Sequence, residues 1–163
     1  MGHAGRDPIL VIGVGNAHRG DDGAGLVVAQ QLARRGPPGA RVEALSGEGS
    51  GLLAAWRDAG RVLLVDAQRS GSPPGTITRY TAAAIIAGGK SPLVSSHGFG
   101  VAAAVRLGAA LHALPGGLVV YGIEGQNFGA GAGLSPAVAV AVNDVVELIL
   151  EALACTSTLW PET

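Results

Sequence analysis

The stretch "VIGVGNAHRGDDGAG", residues 11–25, decides the fold of this chain. An apolar, β-branched run ends at Gly13 and Gly15, and a polar loop with two adjacent aspartates follows. Residues 23–35 ("GAGLVVAQQLARR") then place apolar side chains at helical spacing and stop at "GPPG". A buried strand that leads through a short loop into a helix predicts the first unit of an α/β fold.

The alternation of strands and helices continues to the end of the chain. The predicted strands are 8–14, 40–45, 61–67, 76–81 and 116–125, of which 76–81 alternates like an edge strand. The predicted helices are 23–35, 49–60, one that begins near His97 with Ser95 or Ser96 as its cap, and 135–154 with Ser135 as its cap and Pro136 in its first turn. This order predicts an α/β fold with a mostly parallel sheet covered on both faces, in a single domain over 1–163.

Composition limits the classes of function. The chain has 163 residues, 48% hydrophobic and 14% charged, which excludes disorder and allows one sizeable core. The net charge of −1 offers no basic surface, so we expect neither a nucleic acid nor a membrane as partner. No apolar run reaches the roughly eighteen residues of a membrane helix, and we expect a cytoplasmic protein. Cys155 is the one cysteine, which excludes an internal disulfide and a multi-cysteine zinc site.

Polar residues gather where the predicted strands end. In open α/β sheets, ligands bind outside the carboxyl ends of the strands. The residues that leave or approach those ends are Asn16, Asp21, Asp22, Asp66, His97 and Glu124. Two carboxylates and an imidazole can form a three-ligand metal site with open positions, and a divalent cation relieves the repulsion between close carboxylates.

Structural interpretations of the same residues stay open at this point. Asp22 is also a plausible N-cap of the helix that follows it, and Asp66 is compatible with a turn residue. Glu124 is compatible with a solvated loop acid, and His97 with a surface histidine at a helix start. A nucleotide-binding turn is a weaker alternative, because His18 stands where the third glycine belongs and the acidic pair would repel a pyrophosphate.

Five segments together resemble one family. "GVGNAHRGDDGAG", "VLLVDA", "PPGT", "SSHGFG" and "VVYGIE" occur in the order and spacing of the hydrogenase maturation proteases, the endopeptidases that trim nickel–iron hydrogenase large subunits. The resemblance covers about residues 8–155. It implies a three-layer fold with a twisted, mostly parallel five-stranded sheet between helices.

The resemblance also implies a site. It assigns Asp22, Asp66 and His97 as catalytic residues and ligands of nickel, which the substrate supplies and for which other divalent metals are surrogates. Some members carry Glu at the first of these positions, where this chain has the shorter Asp22. The supporting loop comprises Gly13, Gly15, Asn16, Asp21 and Gly23, and Glu124 is a candidate substrate contact.

The implied activity is removal of the C-terminal extension from a nickel-loaded large-subunit precursor, by a monomer that meets its partner transiently. No nucleophile elbow of the Gly-x-Ser-x-Gly type is present, which favours metal-assisted hydrolysis over an acyl-enzyme. Whether the metal or a carboxylate activates water stays open. The alternative function is a non-cleaving, nickel-dependent checkpoint or chaperone that binds the same precursor.

Overall fold

The computed structural model describes residues 9–89, 91–93, 99–131, 133–155 and 160. The strands are β1 (Ile9–Val14), β2 (Ala40–Leu45), β3 (Arg61–Gln68), β4 (Ile77–Thr81) and β5 (Gly117–Glu124). The α-helices are α1 (Ala24–Arg35), α2 (Gly49–Ala55), α3 (Ala82–Ala87), α4 (Val101–Ala110) and α5 (Pro136–Ala154), and a 3₁₀ turn, Gly20–Gly23, precedes α1.

The five strands form one sheet in the order β2-β1-β3-β5-β4. The first four of these are parallel, and β4 pairs antiparallel with β5 at the edge. This confirms the predicted mostly parallel sheet and the edge strand. Because parallel strands end on the same side, the loops after β1, β3 and β5 meet at one edge of the sheet.

Helices cover both faces of the sheet, which confirms the three-layer α/β fold. On one face, α1 and α5 pack on β-branched residues such as Val11, Val65 and Val119. On the other, α2 and α4 pack on Ile12, Leu64 and their neighbours. The three central strands are buried along nearly their whole length, as their continuous apolar runs predict.

Helix α1 lies unusually close to the sheet, because glycines face each other across the contact. A Cβ on Gly13 would overlap the carbonyl oxygen of Gly25, and one on Gly25 would overlap the carbonyl oxygens of Val14 and Val65. Only residues without a side chain permit this approach. The contact holds the Gly20–Gly23 turn, which contains both aspartates, against the carboxyl edge of the sheet.

Two helices differ from the prediction. Helix α3 was not predicted, although the Thr81 hydroxyl caps it by accepting a hydrogen bond from Ala84 N at 3.1 Å. Helix α2 ends at Ala55, not at residue 60, because the buried Trp56 leaves the helix and its indole donates to Ala113 O at 3.1 Å.

The predicted start of the fourth helix near His97 is wrong. Helix α4 begins at Val101, and its N-cap is Gly100 in an extended conformation. The carbonyl of Phe99 accepts a hydrogen bond from Gly49 N at 3.0 Å, so Phe99 is tied to the first residue of α2 and lies outside α4. Ser95 and Ser96, the predicted caps, lie outside the described residues. No helix in the described part of the chain is long and apolar enough to cross a membrane.

Candidate active site

The loop after β1 is closed by its own backbone. Gly15 N donates to Leu45 O at 3.1 Å, and Asn16 N donates to Asp22 O at 3.1 Å. The side-chain oxygen of Asn16 accepts a hydrogen bond from His18 N at 2.9 Å, and the backbone carbonyl of Asn16 accepts one from Arg19 N at 3.2 Å. Gly15 has a φ of +156°, and a Cβ there would overlap the Asp22 carbonyl oxygen.

This closure argues against a phosphate site in the loop. A phosphate-binding turn presents several unpaired backbone N–H groups to the ligand. Here the N–H groups of Gly15, Asn16, His18 and Arg19 all donate within the protein. The loop therefore lacks the cradle that a nucleotide would need.

Asp21 fastens this turn to the loop between β5 and α5, residues 125–135, which we call the β5–α5 loop. Its buried carboxylate accepts hydrogen bonds from Gln126 N and Asn127 N at 2.8 Å, from Ser135 N at 2.7 Å and from the Ser135 hydroxyl at 2.8 Å. Burial pushes the pKa of Asp21 upward, but these hydrogen bonds outweigh it, and the pKa lies below its ordinary value of 3.8. Asp21 is therefore ionised, and its role is structural: it holds the Gly20–Gly23 turn against the β5–α5 loop.

Asp66 lies inside β3, opposite Gly122 of β5, and is 1% exposed. Its Oδ1 accepts a hydrogen bond from Ala67 N at 2.8 Å, whereas its buried Oδ2 has no hydrogen-bond partner among the described residues. Burial, reinforced by the negative charge of Asp22, raises the pKa of Asp66 well above its ordinary value of 3.8, and the Ala67 hydrogen bond offsets this only in part. A buried oxygen without a hydrogen-bond partner costs free energy of folding. Its lone pairs are available to a ligand.

Asp22 is the carboxylate that acts on Asp66. It is 2% exposed and lies in the 3₁₀ turn, with its backbone N–H donating to Arg19 O at 3.1 Å. The N-cap of α1 is Gly23 and α1 has no side-chain cap, so the interpretation of Asp22 as a helix cap is wrong. Asp66 is equally not a turn residue, since it lies within the strand. Two interacting buried carboxylates favour a shared proton or a cation.

Glu124 ends β5 and is buried, so its interpretation as a solvated loop acid is wrong. Its carboxylate accepts hydrogen bonds from Gln68 Nε2 (3.0 Å), Ser70 N (2.9 Å), Ser70 Oγ (2.7 Å) and Gly71 N (3.1 Å). Burial raises the pKa of Glu124, but these donors outweigh it and the pKa lies below its ordinary value of 4.5. Glu124 thus fixes the turn after β3.

Gln68 is a buried polar residue that the sequence analysis missed. Its amide nitrogen donates to Glu124 and to Thr78 Oγ1 (3.1 Å), and its oxygen accepts from the Tyr80 hydroxyl (2.7 Å). These bonds link the ends of β3, β4 and β5. The sequence did contain a signal for Gln68: it directly follows the apolar run "VLLVDA" and is two residues from Asp66, so a strand places both on the same face.

The predicted ligand His97 and the single cysteine complete the comparison with the sequence. His97 lies outside the described residues, and among those described no group of three or more His, Cys, Asp or Glu side chains forms a metal site. Cys155 is exposed and follows the last residue of α5. The other end of α5 begins directly after Ser135, which is hydrogen-bonded to Asp21. A 19-residue helix is about 28 Å long, so this thiol lies far from the carboxylates.

Comparison with known proteins identifies the family. Residues 27–152 match the family model of the hydrogenase maturation proteases. The chain belongs to this family. The hydrogenase expression/formation protein HupD of Thiocapsa roseopersicina is 30% identical over 154 residues, which cover 91% of this chain and 69% of HupD. This confirms the resemblance drawn from the five sequence segments and places the chain among peptidases of hydrogenase maturation.

Solved structures of maturation proteases share the fold. The hydrogenase maturating endopeptidase HybD from Escherichia coli superposes with a TM-score of 0.72 at 24% identity, over 91% of this chain and 93% of HybD. The NiFe hydrogenase maturation protease HybD from Thermococcus kodakarensis gives a TM-score of 0.70 at 25% identity, over 89% of this chain and 98% of its own. The α/β architecture is therefore that of the family.

Proposed function

We propose that this maturation protease is an endopeptidase that removes the C-terminal extension of a nickel-loaded nickel–iron hydrogenase large-subunit precursor. Asp22, Asp66 and His97 bind the nickel that the precursor carries. The Thermococcus relative, described as a NiFe hydrogenase maturation protease, supports this class of substrate. We infer that the enzyme works as a monomer in the cytoplasm and meets the precursor transiently.

The state of Asp66 carries this proposal. Its Oδ2 is buried without a hydrogen-bond partner among the described residues, and the Asp22 carboxylate acts on it electrostatically. A divalent cation would satisfy the unpartnered oxygen and cancel the repulsion between the two carboxylates. Carboxylate and imidazole donors together suit a borderline divalent ion such as nickel.

The hydrogen bonds distinguish the acidic residues with a structural role from those proposed to bind the metal. Asp21 and Glu124 are each saturated with donors, so neither has a carboxylate to offer a cation. Asp22 and Asp66 remain as the acidic pair at the edge. A metal bound there would polarise a peptide carbonyl or lower the pKa of a water molecule, and a carboxylate of the pair would accept the proton that the water loses.

The decisive experiment measures the intact mass of a nickel-loaded large-subunit precursor from the same source after incubation with the protein. We expect loss of a C-terminal peptide, abolished in Asp66→Asn and His97→Ala and retained in Asp144→Asn. Asp144 is an exposed carboxylate on α5, so its substitution is a matched control. The nickel-free precursor should stay intact.

Other results would contradict the proposal in distinct ways. Full cleavage by Asp66→Asn would remove this residue from the chemistry. Equal cleavage of the nickel-free precursor would exclude nickel as the recognised group. An unchanged mass together with a stable complex would favour the checkpoint function.

A further inference from the structure

A groove opens at the carboxyl edge of the sheet, between the turn after β3 and the beginning of the β5–α5 loop. Its volume is about 520 Å³, and residues 69–74 and 124–128 supply its walls. This size is in the range of sites that bind a small molecule or a few residues of a peptide. The groove has no part in the metal site described above.

Both walls of the groove are fixed in advance. Glu124 holds the turn after β3 through Ser70 and Gly71. Asp21 holds the opposite wall through the backbone N–H groups of Gln126 and Asn127. A preformed groove binds an extended chain without first ordering its own loops, which lowers the entropic cost of association.

Arg69 is the cationic side chain among the residues that line this groove, and the Glu124 carboxylate that also lines it is engaged by donors of the protein. The side chain of Arg69 is exposed, and its guanidinium carbon lies 4.4 Å from the centroid of the Phe128 ring. Stacking occupies the flat face of the guanidinium and leaves the N–H groups at its edge available. Arg69 takes no part in the Arg35–Glu147 and Arg41–Glu43 ion pairs. A held, planar fork of N–H donors matches a carboxylate in two-point contact.

We propose that the groove binds the precursor's chain next to the scissile bond and that Arg69 binds the side-chain carboxylate of an aspartate or glutamate there. Arg69 follows Asp66 by three residues. At about 3.3 Å per residue of strand, the two Cα atoms are roughly 10 Å apart. Because side chains three residues apart in a strand leave opposite faces, the substrate passes over the edge of the sheet between them, and the acidic residue lies a few extended residues from the cleaved bond. The inference rests on the proposed function, since it takes the precursor as substrate.

The test is the steady-state cleavage of the nickel-loaded precursor by Arg69→Ala, Arg69→Glu and Arg69→Lys. Because the contact is made equally in the ground and transition states, we expect Arg69→Ala to raise KM about tenfold with kcat nearly unchanged. Arg69→Glu should raise KM further, and Arg69→Lys should fall between Ala and the wild type. Arg34→Glu, at an exposed arginine on α1, is the matched control and should leave both constants unchanged.

Substitutions in the precursor identify the partner of Arg69. Each aspartate or glutamate near the cleavage point is changed to its amide. At one position the amide should raise KM as Arg69→Ala does, with no further increase when the two changes are combined. Lysine at that position should restore binding to Arg69→Glu. An unchanged KM in Arg69→Glu, a loss confined to kcat, or no effect from any amide would overturn the proposal. Sensitivity only to amidation of the precursor's terminal carboxylate would overturn it as well.

A binding measurement separates this proposal from the proposed function. If the wild type cleaves no precursor, the proposed function fails while the groove is still testable. The dissociation constant of the same precursor for the wild type and for Arg69→Glu then decides. About tenfold weaker binding by Arg69→Glu supports the groove, and equal binding refutes it.

Discussion

Asp21 and Asp22 are neighbours in the sequence with opposite tasks. Asp21 accepts four hydrogen bonds from the β5–α5 loop, whereas Asp22 acts electrostatically on Asp66 across the sheet edge. One carboxylate is therefore stabilised as an anion by donors, and the other contributes to a destabilised pair. This difference predicts opposite effects of substitution on stability.

Asp66→Asn should make the free protein more stable and inactive. The substitution removes a buried acidic group whose ionised form the fold disfavours, because Asp22 lies near it and its Oδ2 has no hydrogen-bond partner among the described residues. We expect the free energy of unfolding at neutral pH to rise by roughly 1–3 kcal/mol, as often happens when a strained site is relieved. Urea denaturation of both proteins, without metal, checks this. A less stable variant would mean that the carboxylate has a favourable partner in the folded protein.

Asp21→Ala should have the reverse effect on stability. It leaves three backbone N–H groups and the Ser135 hydroxyl without their acceptor. We expect a loss of about 2–4 kcal/mol, against about 0.5–1.5 kcal/mol for Ser135→Ala, which removes a single donor. Thermal and urea unfolding of the two variants measure the difference. Equal losses would show that the backbone hydrogen bonds to Asp21 contribute little.

At the scale of elements, the site depends on the contact between α1 and the sheet. Gly25 lies where a side chain would overlap the backbones of β1 and β3. Gly25→Ala must therefore push α1 outward and move the turn that contains Asp22. We expect a loss of about 3 kcal/mol or more together with a sharp fall in cleavage.

The control for this prediction is a helical glycine with space around it. A Cβ on Gly51, in α2, would meet no atom within 4 Å, so Gly51→Ala should be neutral or stabilise by up to about 1 kcal/mol. Calorimetric unfolding of both variants tests the comparison. A tolerated Gly25→Ala would show that α1 can shift without cost.

At the scale of the whole molecule, the lowered pKa values of Asp21 and Glu124 predict that these two carboxylates stop stabilising the fold in acid. The folded-state pKa values of Asp21 and Glu124 lie below their ordinary values of 3.8 and 4.5. Each carboxylate therefore stabilises the fold above its ordinary pKa, and this contribution disappears as the pH falls through its folded-state pKa. Protonation of Asp66, whose pKa is raised, acts in the opposite direction. In the Asp66→Asn variant, which lacks that opposing titration, the free energy of unfolding should decrease as the pH falls below about 5.

The Glu124→Gln variant isolates one of these contributions. It should be less stable than the wild type at neutral pH, and the difference should shrink as the pH falls, because the wild-type carboxylate then becomes protonated. Urea unfolding at a series of pH values measures both curves. A difference that is constant with pH would assign the loss to packing.

Some of the local structure could be read directly from the sequence. Continuous apolar runs identified β1, β3 and β5, and the "GPPG" segment marked the end of α1, where Gly36 adopts a left-handed conformation with a φ of +56°. These features follow from local chemistry, which the sequence states residue by residue. Helix α4 was misplaced because its start depends on the contact of Phe99 with Gly49, which is distant in the sequence.

The sequence by itself determined the fold class, the family and the acidic character of the sheet edge, because periodicity, turn residues and ordered motifs are local properties. Only the tertiary structure distinguished the structural role of Asp21 from the role of Asp22 and showed that Glu124 holds the turn after β3. Their donors come from residues 105 to 114 positions away for Asp21 and 53 to 56 positions away for Glu124. A carboxylate's role depends on which donors and charges the fold places around it, and that environment is assembled from segments that lie far apart in the chain.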